Sequence, residues 1–205
     1  MGTLSRLFAA FVLVAGSTRA QSVGLVTPAH AIDRADIGLG PFIAFPNPLD
    51  IFGHLRIPVK EKLDIGVKAG ASLKGGAFLA QGDIKIPFRH DEPDLSILAV
   101  FDNAIDANSW RGLATGGLMA GHQFETKEST ISPYGAITIG FSWNTSGSSS
   151  TNSNAKGGGG GFAGFGAIGC EFRVTKTVAP IIEIMLPFGA LRSPVFLSGG
   201  VMFYF

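Results

Sequence analysis

From residue 36 to the end of the chain, apolar side chains recur at every second position, not every third or fourth. That spacing belongs to strands with one apolar face. The clearest run is Leu63–Leu73 (LDIGVKAGASL). Leu63, Ile65, Val67, Ala69, Ala71 and Leu73 share one face, and Asp64, Gly66, Lys68, Gly70 and Ser72 share the other. Nine more runs read the same way: Asp36–Phe45, Ile51–Val59, Phe78–Phe88, Leu95–Asn103, Leu113–Phe124, Ile131–Trp143, Gly161–Val174, Val178–Phe188 and Val195–Phe205. Their lengths suit a tilted strand crossing a bilayer, which needs about 9–11 residues.

The connections alternate in character. Lys60-Glu61-Lys62, Arg89–Asp94, Thr126–Thr130 and Thr175-Lys176-Thr177 are short and charged. Between them lie Pro46–Asp50, Lys74–Ala77, Ala104–Gly112, Asn144–Gly160 and Gly189–Pro194, rich in Gly, Pro, Ser and Asn. Compact turns at one end and more variable loops at the other predict an all-β fold: a closed, antiparallel, up-and-down transmembrane β-barrel of ten strands. Eight strands is the alternative, if Asp36–Phe45 or Ile51–Val59 falls short of a full strand. Closure is required because unpaired backbone groups cannot be left in lipid. Two local expectations follow. Pro41, in mid-strand, removes a ladder hydrogen bond and calls for a bulge. The four-residue connection Lys74–Ala77 places Lys68 directly opposite Asp83.

The aromatic residues decide which face points outward. With the charged turns at the bottom, Phe45, Phe78, Phe101, Phe141, Trp143, Phe162 and Phe188 of the apolar face fall towards the top. Phe88, Phe124, Phe172, Phe203 and Phe205 fall at the bottom, and mostly Ile, Leu, Val, Ala and Gly lie between. A soluble core has no reason to sort aromatics by height, whereas a membrane places them at its two interfaces. The apolar face therefore turns to lipid. Composition agrees: 15% of residues are charged, against roughly 25% in ordinary globular domains. A net charge of +1 gives no basic patch for nucleic acid. Arg6, the apolar stretch Leu7–Gly16 and Ala20 read as a secretory signal. The expected organisation is a signal peptide at 1–20, a short periplasmic segment at 21–34 and the barrel at 35–205.

The inward face carries Arg56, Lys68, Lys85 and Arg173 against Asp36, Asp64, Asp83, Asp102, Glu171 and Glu183. Phe42, Tyr134, Phe165, Phe196 and Tyr204 share that space. In a barrel this narrow, such a set predicts a charge network within a lumen largely filled by side chains. The alternative is a narrow porin-like channel for small polar solutes. A third reading is a hydrolase of lipid or peptide at the rim, with His54 beside Asp50, Asp102 or Asp106. No nucleophile elbow, phosphate loop or metal-ligand spacing is present, so no enzyme activity, cofactor or metal is expected. Cys170 falls on the lipid face.

The last strand ends Val201, Phe203, Phe205 on its apolar face. This resembles the C-terminal signal by which bacterial outer-membrane proteins are recognised for assembly. From its signal peptide to Phe205, the chain resembles the small outer-membrane β-barrels of Gram-negative bacteria, in the style of the outer membrane protein A transmembrane domain and the opacity-type proteins. The resemblance implies an outer-membrane location, with the lipid bilayer and lipopolysaccharide as surroundings. It also implies the outer-membrane assembly machinery as a partner of the last strand, and a structural or surface-interaction role.

Overall fold

The computed structural model describes residues 37–45, 49–59, 63–73, 76–89, 93–107, 109–146, 159–191 and 195–205. The expected signal peptide, the segment 21–34 and Asp36 lie outside the described residues. The strands are β1 (Gly38–Phe45), β2 (Asp50–Pro58), β3 (Asp64–Ser72), β4 (Phe78–Arg89), β5 (Asp94–Ile105), β6 (Ser109–Gly121), β7 (Phe124–Glu125), β8 (Thr130–Ser146), β9 (Gly159–Arg173), β10 (Val178–Gly189) and β11 (Phe196–Tyr204). Each long strand pairs antiparallel with the next; β6 pairs with β8, and β1 closes the barrel on β11. The two-residue β7 continues β6 after a break at His122 and Gln123, and pairs with Thr130 and Ile131. Ten strands thus form the wall, not eight.

The registers fix the shape. Followed once around the wall from Gly38, the rows of paired residues return to β1 about twelve positions further along. With strands about 4.8 Å apart and a rise of about 3.3 Å per residue, this shear means a tilt of about 40° and a backbone radius of about 10 Å. On β4, Phe78 and Phe88 then stand about 25 Å apart along the barrel axis, which is the height of an apolar membrane band.

Burial shows which face is which. β1 reads buried–exposed from end to end. Outward Ile137 and Phe141 keep 59% and 64% of their surface exposed, whereas inward Lys68 and Lys85 keep 1% and 0%. A soluble barrel has the reverse arrangement. This wall is apolar outside and polar inside, the arrangement of a transmembrane barrel.

Three local expectations are corrected. Pro41 causes no bulge: the β1–β2 register runs through it unchanged, and the β1–β11 ladder skips Gly40 and Pro41 and resumes in the same register. Losing one or two pairs disturbs the wall less than inserting a residue, because an inserted residue would reverse the facing of the rest of the strand. The register shift that does occur lies between Pro87 and Arg89, against β5. Second, Lys68 faces Gln81, and Asp83 faces Gly66. The β3–β4 hairpin closes one residue earlier on each strand than expected, with the Ser72 amide bonded to the Ala77 carbonyl at 2.9 Å. Gly76 makes that possible by adopting φ 61°, a left-handed conformation open to glycine. Third, strands reach furthest into two of the expected loops: β5 and β6 extend to Ile105 and Ser109, and β8 and β9 to Ser146 and Gly159.

The longer β6 brings Trp110 into the wall beside Trp143, with ring centres 6.2 Å apart and nearly perpendicular planes. The Trp143 ring lies directly over Gly112, where any added Cβ would collide with it. Gly112→Val is expected to displace that ring at a cost of about 1–3 kcal/mol. The chain has two tryptophans, so loss of their near-UV dichroism reads the displacement directly.

Candidate functional site

The site the sequence points to is the lumen. Among the described residues, five basic and six acidic side chains are buried there: Arg56, Lys68, Lys85, Arg111 and Arg173 against Asp50, Asp64, Asp83, Asp102, Glu171 and Glu183. Near equality of charge is what enclosure demands, because an unpaired ion in a low-dielectric interior is costly.

At the lower end, Asp64 of β3 forms ion pairs with Arg56 of β2 and with Lys85 of β4, the latter at 3.2 Å. The ladder arranges this meeting, since Asp64 stands opposite Lys85 on one side and Pro58 on the other. On the far wall, the Glu171 carboxylate accepts hydrogen bonds from the Tyr204 hydroxyl at 2.9 Å and from Arg173 at 3.3 Å. The Arg173 guanidinium lies 4.3 Å above the Tyr204 ring, a stacked cation–π contact. Tyr134 donates to Glu183 at 3.0 Å, joining β8 to β10 across β9.

The two lysines link these walls. Lys85 lies in the field of Glu171 as well as Asp83, and Lys68 in the fields of Asp83, Asp102 and Glu183. Lys68 also donates to Gln81 at 3.2 Å. Apolar side chains share the lumen with this network, Leu98 standing opposite Lys85 and Leu113 opposite Asp102. Phe42 stacks on Phe52 at 5.8 Å, while Leu98, Leu113, Phe165, Met185 and Phe196 form a second buried cluster. At the upper mouth Arg111 lies 3.6 Å from Asp106, and Ser109 donates to the same carboxylate at 2.7 Å.

All eight network residues expected from the sequence, Arg56, Asp64, Lys68, Asp83, Lys85, Glu171, Arg173 and Glu183, are inward and buried. The pairings differ from the expected one, as described for Lys68 and Asp83. His54 departs most. It is fully buried beside Phe42 in the body of the barrel, away from the rim, and neither ring nitrogen has a hydrogen-bond partner among the described residues. No acid–base pair forms there. Asp50 lies at the upper end of β2, four residues from His54, and Asp106 is engaged by Arg111 and Ser109. Arg111 and Gln81 are lumen partners the sequence did not single out, and Asp106, expected only as a possible neighbour of His54, pairs with Arg111. For Arg111 the signal was present: a charged residue two positions before an alternating run, excluded because the strand was started at Leu113.

On the outside, the expected aromatic residues all face outward, Trp143 and Phe188 half-buried and the others exposed. Phe162 and Phe188 meet at 6.5 Å on the upper band. Trp110 joins that band, its indole N–H donating to Asn103 at 3.1 Å. In the terminal strand Phe203 and Phe205 are exposed on the outer wall and Val201 is half-buried.

No protein-family model and no curated protein matches the chain. Among solved structures, it is similar to the N-terminal β-barrel domain of Pseudomonas aeruginosa OprF, at 13% identity over 84% of this chain and 98% of that one, with a TM-score of 0.40. It is also similar to the KdgM porin, at 10% identity over 82% of this chain and 99% of that one, with a TM-score of 0.42. A de novo designed transmembrane β-barrel shares 13% identity over 83% of this chain and 96% of its own length, at a TM-score of 0.39.

Proposed function

We propose that this protein is an integral outer-membrane β-barrel of a Gram-negative bacterium, with a lumen filled by its own side chains and a structural or surface-interaction role. One observation carries the filled-lumen reading. Arg56, Asp64, Lys68, Asp83, Lys85, Glu171 and Glu183 each keep no more than 2% of their surface accessible. Side chains lining a water-filled passage are wetted, and wide channels belong to barrels of more strands. The surface role draws on the tall β8–β9 ladder. It continues past Trp143 with Asn144 on the outer side of the upper aromatic band, while β6 pairs as far as Ser146.

In planar bilayers the purified barrel is expected to give no discrete conductance steps. Insertion is verified separately by a heat-modifiable gel shift of the same preparation. Steps from the unmodified protein would reject the filled lumen in favour of a narrow channel. Contact with lipopolysaccharide and with the assembly machinery through Val201, Phe203 and Phe205 belongs to the same proposal. Phe205→Ala is expected to lower the amount of folded protein recovered from outer-membrane fractions while leaving refolding into vesicles unchanged.

A further inference from the structure

The outer wall is not uniformly covered. Pro41 of β1, Gly53 of β2 and Ala69 of β3 stand opposite one another in the ladder, so three small outward positions fall on one row. Leu39 and Ile51 rise on either side, and Phe203 of β11 borders the lower end, leaving a groove of about 480 Å³. A Cβ added at Gly53 would meet nothing within 4 Å. The floor at Gly40 and Pro41 is also where the β1–β11 ladder is interrupted.

We propose that this groove holds one acyl chain of a phospholipid from the periplasmic leaflet, more firmly than the lipids that merely surround the barrel. The groove is continuous with the lipid-facing belt, and no charged residue lines it. Hydrocarbon is therefore its occupant, not a polar ligand. Its lower end opens at Phe203 and Phe205, in the band where headgroups begin. Its volume is roughly three times that of a cavity that takes up benzene, which suits a chain of roughly 16–18 carbons. Lying across three strands, the chain supplies the dispersion contacts that larger side chains provide elsewhere on the wall. The choice of leaflet rests on the outer-membrane reading; the groove and its occupant rest on the transmembrane fold.

Native mass spectrometry tests this, after reconstitution in phosphatidylethanolamine and phosphatidylglycerol vesicles and extraction into mild detergent. The expected spectrum shows one phospholipid retained per barrel. Gly53→Leu fills the groove and, by removing a few methylene contacts, is expected to lower retention about tenfold. Gly82→Leu adds the same bulk on β4, where an added Cβ also meets nothing within 4 Å, and is expected to leave retention unchanged. The gel shift confirms that both variants fold. Absence of a retained lipid from the unmodified barrel would overturn the proposal, as would equal effects of the two variants. A dimer mass in place of the lipid-bearing monomer would assign the groove to contact between copies and overturn it too.

Discussion

Asp64→Leu is expected to destabilise the barrel by about 3–5 kcal/mol, the largest effect of any lumen substitution considered. The carboxylate lies between Arg56 and Lys85, which are 2% and 0% exposed. Removing it leaves two cations facing each other with no solvent to screen them. Breaking a buried ionic group by deleting one partner is far costlier than replacing the whole group with apolar residues. The triple change Asp64→Leu, Arg56→Met, Lys85→Met is therefore expected to regain part of the loss, since Lys85 also lies in the fields of Asp83 and Glu171. Urea titration of the protein in lipid vesicles measures both, with unchanged slopes showing that the same surface unfolds. Glu128→Leu, on the exposed β7–β8 turn, serves as a surface control and is expected to shift stability by no more than about 0.5 kcal/mol.

The second large effect lies on the opposite face and depends on height. Ile137→Arg, midway along β8, is expected to cost about 2–4 kcal/mol, because the guanidinium must sit near the bilayer midplane. Ile105 stands between Phe78 and Trp110 in the upper aromatic band. There the same change is expected to cost only about 0–1 kcal/mol, since the side chain can reach the interface. Both positions are well exposed, at 59% and 49%. Exposure alone would make the two substitutions equally harmless, so a difference between them reads lipid and not water.

The fold was legible because the requirement behind it is local. A wall with oil on one side and polar groups on the other must alternate residue by residue. Leu63–Leu73 displays that alternation wherever the strand ends, and β3 differs from it by one residue at each end. Facing was legible for the same reason, so Lys68, Lys85 and Glu171 could be placed inside from parity alone. Register was not. The pairing of Lys68 with Gln81 follows from closure at Ser72 and Ala77 through the left-handed Gly76. Nothing in the alternation distinguishes that closure from one that moves the opposing strand by two residues, which preserves every facing.

Lumen partners were illegible for a further reason. Tyr134 and Glu183 meet 49 positions apart, and Tyr204 and Glu171 meet 33 apart. Such contacts depend on the accumulated shear of the wall, a property of all its registers together. His54 illustrates the same limit. Its inward facing was evident, but its depth depends on tilt, and that depth separates a rim group from a buried ring beside Phe42. Trp110 shows a third kind of failure. The Gly–Trp packing of Gly112 under Trp143 makes a glycine useful within the wall, so a stretch that reads as a loop continues the strand.

Oxygen and nickel-chelate accessibility of nitroxides on the outer wall tests the orientation of this wall most directly. The labels are placed singly at Gly82, Ile84, Ile137 and Ile168, after Cys170→Ser and reconstitution in phospholipid vesicles. Relaxation by oxygen, which concentrates in hydrocarbon, should be strong at all four sites, and relaxation by the aqueous nickel complex should be weak. Strong nickel relaxation with weak oxygen relaxation at these positions would mean that water covers the apolar face, and would contradict the account.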